Sequence, residues 1–303
     1  QLAFAPRLSK ASEARALLHP SLMFAVMSFS MLLYFQSQTV IVSIMMGGAA
    51  VAIFSASRQL ATLIRICIDT LCDASVPDIC SLSVLDSLKP QVQRFRLLLG
   101  ASIAITVSLG CFLWWEGGSI VELWTRHRLA PYPALIRLFV LLALGESVWL
   151  VAAVFRTALN QNRRTALFYA LSNLSSVPLV IWLVPRFGSR AVPAGLLITE
   201  TVFLWHPLLA DTCRTLQLPY AKFAMKVWTF VLVAFGFNLL AGFAVHLLPV
   251  PAIVRWTISG TMGVVLACAC TFLLWLGSEE RDMVRSTLTR TLGARRAVAA
   301  IAS

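Results

Sequence analysis

The sequence predicts an all-α integral membrane protein with about eight transmembrane helices. Three observations carry this. Hydrophobic residues make up 59% of the 303 positions, charged residues 13%, and mean hydropathy is +0.82. Apolar runs recur at or above the roughly 20 residues that a bilayer requires. The basic residues fall mostly between alternate runs, which is the charge bias of a multi-pass protein.

The runs can be taken in order as 21–44, 47–75, 97–115, 133–157, 164–184, 191–212, 227–248 and 252–276. The first two form a tight hairpin around Met46-Gly47-Gly48. The later breaks fall at Lys89-Pro90, Pro131–Pro133, Arg163-Arg164, Pro185–Arg190, Leu218-Pro219 and Pro249–Pro251, where proline or paired charges end an apolar helix. Two stretches read as interfacial. Residues 77–96 mix apolar and polar positions, and 116–128 set Trp124 beside charges at headgroup level. Pro178 and Pro193 lie in or at the ends of helices, where they can kink them.

With residues 1–20 placed in the cytoplasm, 16 basic residues fall in inside segments and 5 in outside segments. The outside set is Arg126, Arg128, Arg186, Arg190 and Arg255. This split predicts both termini inside and accounts for the +12 net charge without nucleic acid. The basic tail, 277–303, reads as a segment lying on anionic lipid. The seven cysteines form no CxxC and read as small buried hydrophobes, and the four histidines are scattered and form no metal-ligand pair. No cofactor is expected. The N-terminus shows no signal peptide and begins with glutamine, so the chain is expected to be a fragment or a processed product.

The residues most informative for function lie in the second run. Arg58 and Arg65 are seven apart, so they return within ~20° of each other on a helix. Thr62 and Asp69 lie close to the same stripe. An arginine at bilayer depth costs about 2.5–3.5 kcal/mol on insertion scales, and such residues face a bundle interior or a water-filled cavity. Two cations on one face suggest a place where an anion passes or binds. The plainer reading is that Arg65 pairs with Asp69 at i, i+4 while Arg58 snorkels to an interface. Glu146 and Glu200 stand in apolar runs of the fourth and sixth spans. Each is a candidate for proton or cation coupling or for pairing with an arginine. Gln36, Gln38 and Asn173 suit interhelical hydrogen bonds, and Gly48, Ala52 and Ala56 give a small-residue spacing for close helix packing. No phosphate-binding loop, nucleophile elbow or metalloprotease motif is present, and the chain is not expected to be an enzyme.

Several of these stretches also carry a family resemblance. The run Gln36–Arg65, QSQTVIVSIMMGGAAVAIFSASRQLATLIR, resembles the first hairpin of the C-terminal lobe of Wzx-type polysaccharide (O-antigen) flippases. These belong to the multidrug/oligosaccharidyl-lipid/polysaccharide exporter superfamily. GSIVELW (Gly118–Trp124), RTALNQNRRTAL (Arg156–Leu167) and SRAVPAGLLITETVF are similar to later parts of that lobe. The resemblance implies residues 21–212 as a six-helix lobe, 213–276 as an added helix pair, and an absent N-terminal lobe of a fourteen-helix fold. It further implies flipping of an undecaprenyl-diphosphate-linked oligosaccharide across a bacterial inner membrane, for lipopolysaccharide or other surface polysaccharide. Arg58, Thr62 and Arg65 would then bind the substrate. Gln36-Ser37-Gln38 departs from the acid found there in many relatives, which argues against carboxylate coupling at that point. Two alternatives stay open: a multidrug/cation antiporter of the same superfamily, and a membrane enzyme of envelope polysaccharide assembly.

Overall fold

A computed structural model describes residues 11–83, 88–282 and 284. The sequence expectations for residues 1–10, for 84–87 of the first interfacial stretch, and for most of the basic tail lie outside the described residues. What is described is helical, with no strand among the described residues. The helices are α1 (Ala11–Met46), α2 (Gly48–Ser83), α3 (Leu88–Trp124), α4 (Pro133–Ala158), α5 (Asn162–Phe187), α6 (Ala191–Glu200), α7 (His206–Thr215), α8 (Tyr220–His246) and α9 (Ala252–Cys270). Two π-helical segments, Thr201–Trp205 and Thr271–Trp275, continue α6 into α7 and extend α9.

Among the described residues seven helical stretches are long and apolar enough to cross a membrane, and one of them, Asn162–Thr215, is 54 residues long. At ~1.5 Å per residue that is more than twice a bilayer core. It folds back on itself at Gly188, whose φ is +61°, and Gly195 of α6 then meets Val180 of α5. Counted this way the described residues supply eight stretches fit to cross a bilayer, as in a multi-pass membrane protein.

The two stretches read as interfacial are helical over most of their described length, and the second leaves the helix in a turn at 125–127. α2 runs through Pro77 to Ser83, and α3 begins at Leu88 and extends to Trp124. Pro77 is tolerated because the carbonyl it leaves unpaired belongs to Asp73, an exposed position. The seventh crossing likewise starts at Tyr220, earlier than its apolar run, because Lys222 and Lys226 ride on exposed or half-exposed turns of α8. The expected close approach at Gly48 is absent. A Cβ built there meets nothing, whereas Gly195 and Gly242 sit against Val180 and Trp115.

α4 forms the centre of the bundle. Of its spanning window 83% is buried, against 17% for α9 at the periphery. α2, α3 and the α6–α7 span surround α4, and α1 lies in the groove between α2 and α5. Toward one end a second apolar cluster joins α1, α2, α4, α5 and α6 through Val42, Phe54, Leu135, Phe139, Val184 and Val192. α8 and α9 pack on the outer side of α3 and are pinned to it at both ends. At one end Glu116, 1% exposed, accepts hydrogen bonds from Arg255 Nε (2.9 Å) and Nη2 (3.0 Å) and from Trp256 Nε1 (2.9 Å). At the other end Trp275 Nε1 donates to Arg96 O (2.7 Å), Arg96 pairs with Glu280 (3.0 Å), and the indole ring lies against Gly100. A buried carboxylate fully occupied by donors, and a tryptophan with its N–H satisfied, can sit at such depth without an unpaired polar atom.

Candidate functional site

The arginine stripe of α2 faces α1 and α4, and its two cations have different fates. Arg65 is buried, 7% exposed, and its Nη1 donates to Glu146 Oε1 of α4 at 2.9 Å. Asp69 is a secondary partner at 3.6 Å, on a side chain 44% exposed. The Arg65 guanidinium is further enclosed by the rings of Tyr34, Phe35 and Trp149, at 5.3–5.7 Å. Tyr34 OH donates to the same Glu146 oxygen at 2.9 Å. The i, i+4 pair expected from sequence therefore exists only as the weaker arm. The charge of Arg65 is matched by a residue 81 positions away. Of the two settings expected for a membrane arginine, Arg65 takes the bundle interior, because α1 covers it with the rings of Tyr34 and Phe35. α2 nonetheless keeps an exposed strip, with Leu63 and Ile66 each 51% exposed.

Arg58 is half-buried and makes no ion pair among the described residues. Its Nη1 donates to the carbonyl of Phe35 at 2.9 Å, and its guanidinium lies 5.4 Å from the Phe54 ring centre. Thr62 sits one turn on and donates its hydroxyl to Arg58 O at 2.9 Å, which leaves the oxygen lone pairs free to accept. Gln38 donates to Tyr34 O at 2.6 Å. Tyr34, Gln38, Arg58, Thr62, Arg65 and Glu146 border a small cavity of about 30 Å³. That is room for about one water and for no substrate headgroup. A larger anion can enter this cavity only if α1 moves relative to α2.

Glu200 ends α6 at the start of the first π-helical segment and is fully buried. Its Oε2 accepts from Trp149 Nε1 at 2.8 Å, and its Oε1 has no partner among the described residues. Trp149 thus links Glu200 to the Arg65–Glu146 pair, since its ring also lies 5.7 Å from the Arg65 guanidinium. π-helical turns widen the backbone and often mark functional positions. Asn173 donates to Ser30 O at 2.9 Å, tying α5 to α1.

The structure gathers Arg58, Thr62, Arg65, Asp69 and Glu146 at one place and brings Glu200 to it through Trp149. Sequence reasoning missed Tyr34, Phe35 and Trp149, which look like ordinary apolar helix residues, and Gly145, on which the indole of Trp205 lies. It also missed Asp211, which gathers three arginines at the end of α4. None of the seven cysteines forms a disulfide, and among the described residues no cluster of histidine, cysteine or acid is placed to hold a metal.

These features define a helical membrane protein with a charged, largely neutralised centre between its first, second and fourth helices. Scans of family models, of curated proteins and of solved structures give no match to this chain.

Proposed function

We propose that the protein forms part of a flippase that moves a diphosphate-linked, lipid-anchored oligosaccharide across the bacterial plasma membrane for surface polysaccharide synthesis. Under this reading no bond is made or broken, and the residues described are the second lobe and final helix pair of the transporter. The observation that carries the reading is Arg58, a half-buried cation at membrane depth with no counter-ion among the described residues. Desolvated cations in hydrocarbon are costly, and an anionic ligand would supply the missing charge. Arginine stays charged and presents a planar fork that fits a phosphate with two hydrogen bonds. Arg65 plays a different part. Glu146 already neutralises it, so it holds α2 to α4 and exchanges partners only if those helices separate. The polysaccharide resemblance of the Gln36–Arg65 run supports the same assignment of substrate.

The test is a mutation at Arg58 in cells that carry the complete transporter. Arg58→Ala should cut surface-polysaccharide display while membrane abundance stays normal. Loss of one charge-assisted pair is worth about 1.5–3 kcal/mol, so the transport rate should fall roughly ten- to hundredfold. Arg58→Lys should recover only part, because it keeps the charge and loses the fork. Normal display by Arg58→Ala at normal abundance would remove the reason for placing an anion path here.

A further inference from the structure

A second basic site lies at the end of the bundle where α4 turns into α5. Asn160 takes a left-handed conformation, φ +59°, and reverses the chain so that the start of α5 sits over the end of α4. Arg156 and Asp211 form a buried floor, each about 5% exposed, with Arg156 Nη2 at 3.5 Å from Asp211 Oδ2. Arg164 and Arg214 reach the other carboxylate oxygen at 3.1 and 3.4 Å from the solvent side. Arg163 adds a fourth guanidinium with no ion pair among the described residues. Four arginine charges against one carboxylate leave an excess of three positive charges around an open cavity of about 360 Å³. Asn162, 5% exposed, borders the same cavity and has an unpaired Oδ1, which can accept a hydrogen bond from a hydroxyl.

The surroundings distinguish this site from a simple anion pocket. Arg163 and Arg164 also form the rim of an apolar groove of about 600 Å³ between α1 and α5, floored by Met23, Val26, Leu167 and Ala170. A cationic, hydroxyl-accepting cavity thus shares its Arg163–Arg164 rim with a groove that suits a hydrocarbon chain. We infer that this cavity and groove together bind an anionic phospholipid with a hydroxylated headgroup, the phosphate on Arg164 and Arg214 and an acyl chain along the α1–α5 groove. Charge complementarity selects the headgroup, and the apolar groove selects a lipid over a free phosphate. The site is separate from the Arg58 cavity, so it stands or falls independently of the transport reading.

The probe is dioleoylphosphatidylglycerol, compared with dioleoylphosphatidylcholine of the same chains, on the purified full-length chain by native mass spectrometry. Retention of the phosphatidylglycerol should exceed that of the phosphatidylcholine by about tenfold, the worth of one charge-assisted contact. Arg164→Gln with Arg214→Gln should abolish the preference. Both guanidiniums are mostly exposed, so the fold should survive, and an unchanged melting temperature checks this. Ala170→Trp, which fills the groove, should lower retention while the arginines remain. Equal retention of the two lipids, or a preference unaffected by the arginine pair, would overturn the inference. So would displacement of the lipid by glycerol phosphate as readily as by phosphatidylglycerol itself, because that marks a headgroup-only anion site.

Discussion

Glu146→Leu should destabilise the protein by about 3–5 kcal/mol, because it leaves the buried Arg65 without its main counter-ion. The magnitude separates this bond from its neighbours. An ordinary interhelical hydrogen bond within a bilayer averages only ~0.6 kcal/mol, since the helices find other partners when apart. Arg65 has no such recourse. Its remaining acid, Asp69, stands at 3.6 Å and is partly hydrated, and Tyr34 OH loses its acceptor in the same step. Glu146→Gln should cost less, because the amide oxygen still accepts from both Tyr34 and Arg65. Adding Arg65→Met to Glu146→Leu should recover most of the loss, since paired replacement of buried ions by apolar groups is often neutral. Thermal inactivation of the detergent-solubilised protein, followed by size-exclusion chromatography, measures all three variants against wild type. Equal stability of Glu146→Leu and wild type would mean that α2 and α4 are not held by this pair.

Gly145→Ala should also be severe, although it adds one carbon. A Cβ at position 145 falls inside the indole of Trp205. That ring is backed by Trp228 of α8, with ring centres 5.1 Å apart, so movement away from Gly145 on that side is blocked. Overpacking a core costs about 1–3 kcal/mol and occasionally more, and a backed, rigid ring places this change at the upper end. The control is Trp205→Ala, which opens the space. In that background Gly145→Ala should cost little, so the two changes should show strong non-additivity. Additive losses would show that the indole does not rest on Gly145. Because Gly145 precedes Glu146, a shift of α4 here also disturbs the Arg65–Glu146 ion pair.

The fold and the site were legible in the sequence to different degrees, for physical reasons. The spans are visible because a bilayer demands long apolar runs whatever packs around them. Their ends are not. α2 passes Pro77 and α3 starts at Leu88, because amphipathic turns outside the hydrocarbon continue a helix without an apolar signal. The stripe Arg58–Thr62–Arg65–Asp69 follows from helical period alone. The partner of Arg65 does not, because the register of α2 against α4 is set by side chains 81 positions apart in sequence. The nearest acid in sequence, Asp69, took that place in the reading and is the minor partner. Gly145 reads like any membrane-helix glycine until Trp205 is placed over it. The arginines around Asp211 come from three chain segments, and only their convergence makes a site.

The central claim is that a phosphate-bearing lipid substrate passes the Arg58–Thr62 face of α2. Photo-crosslinking tests it most directly, with a photoreactive residue in place of Thr62, in cells making the complete transporter and its lipid-linked oligosaccharide. Thr62 borders the cavity beside Arg58 and is half-buried, so a probe there reports on what enters. The account predicts an adduct that carries the oligosaccharide, formed at position 62 and much reduced when Arg58→Ala is added. Adducts to bulk phospholipid or to α1 alone, with no oligosaccharide in any of them, would contradict it.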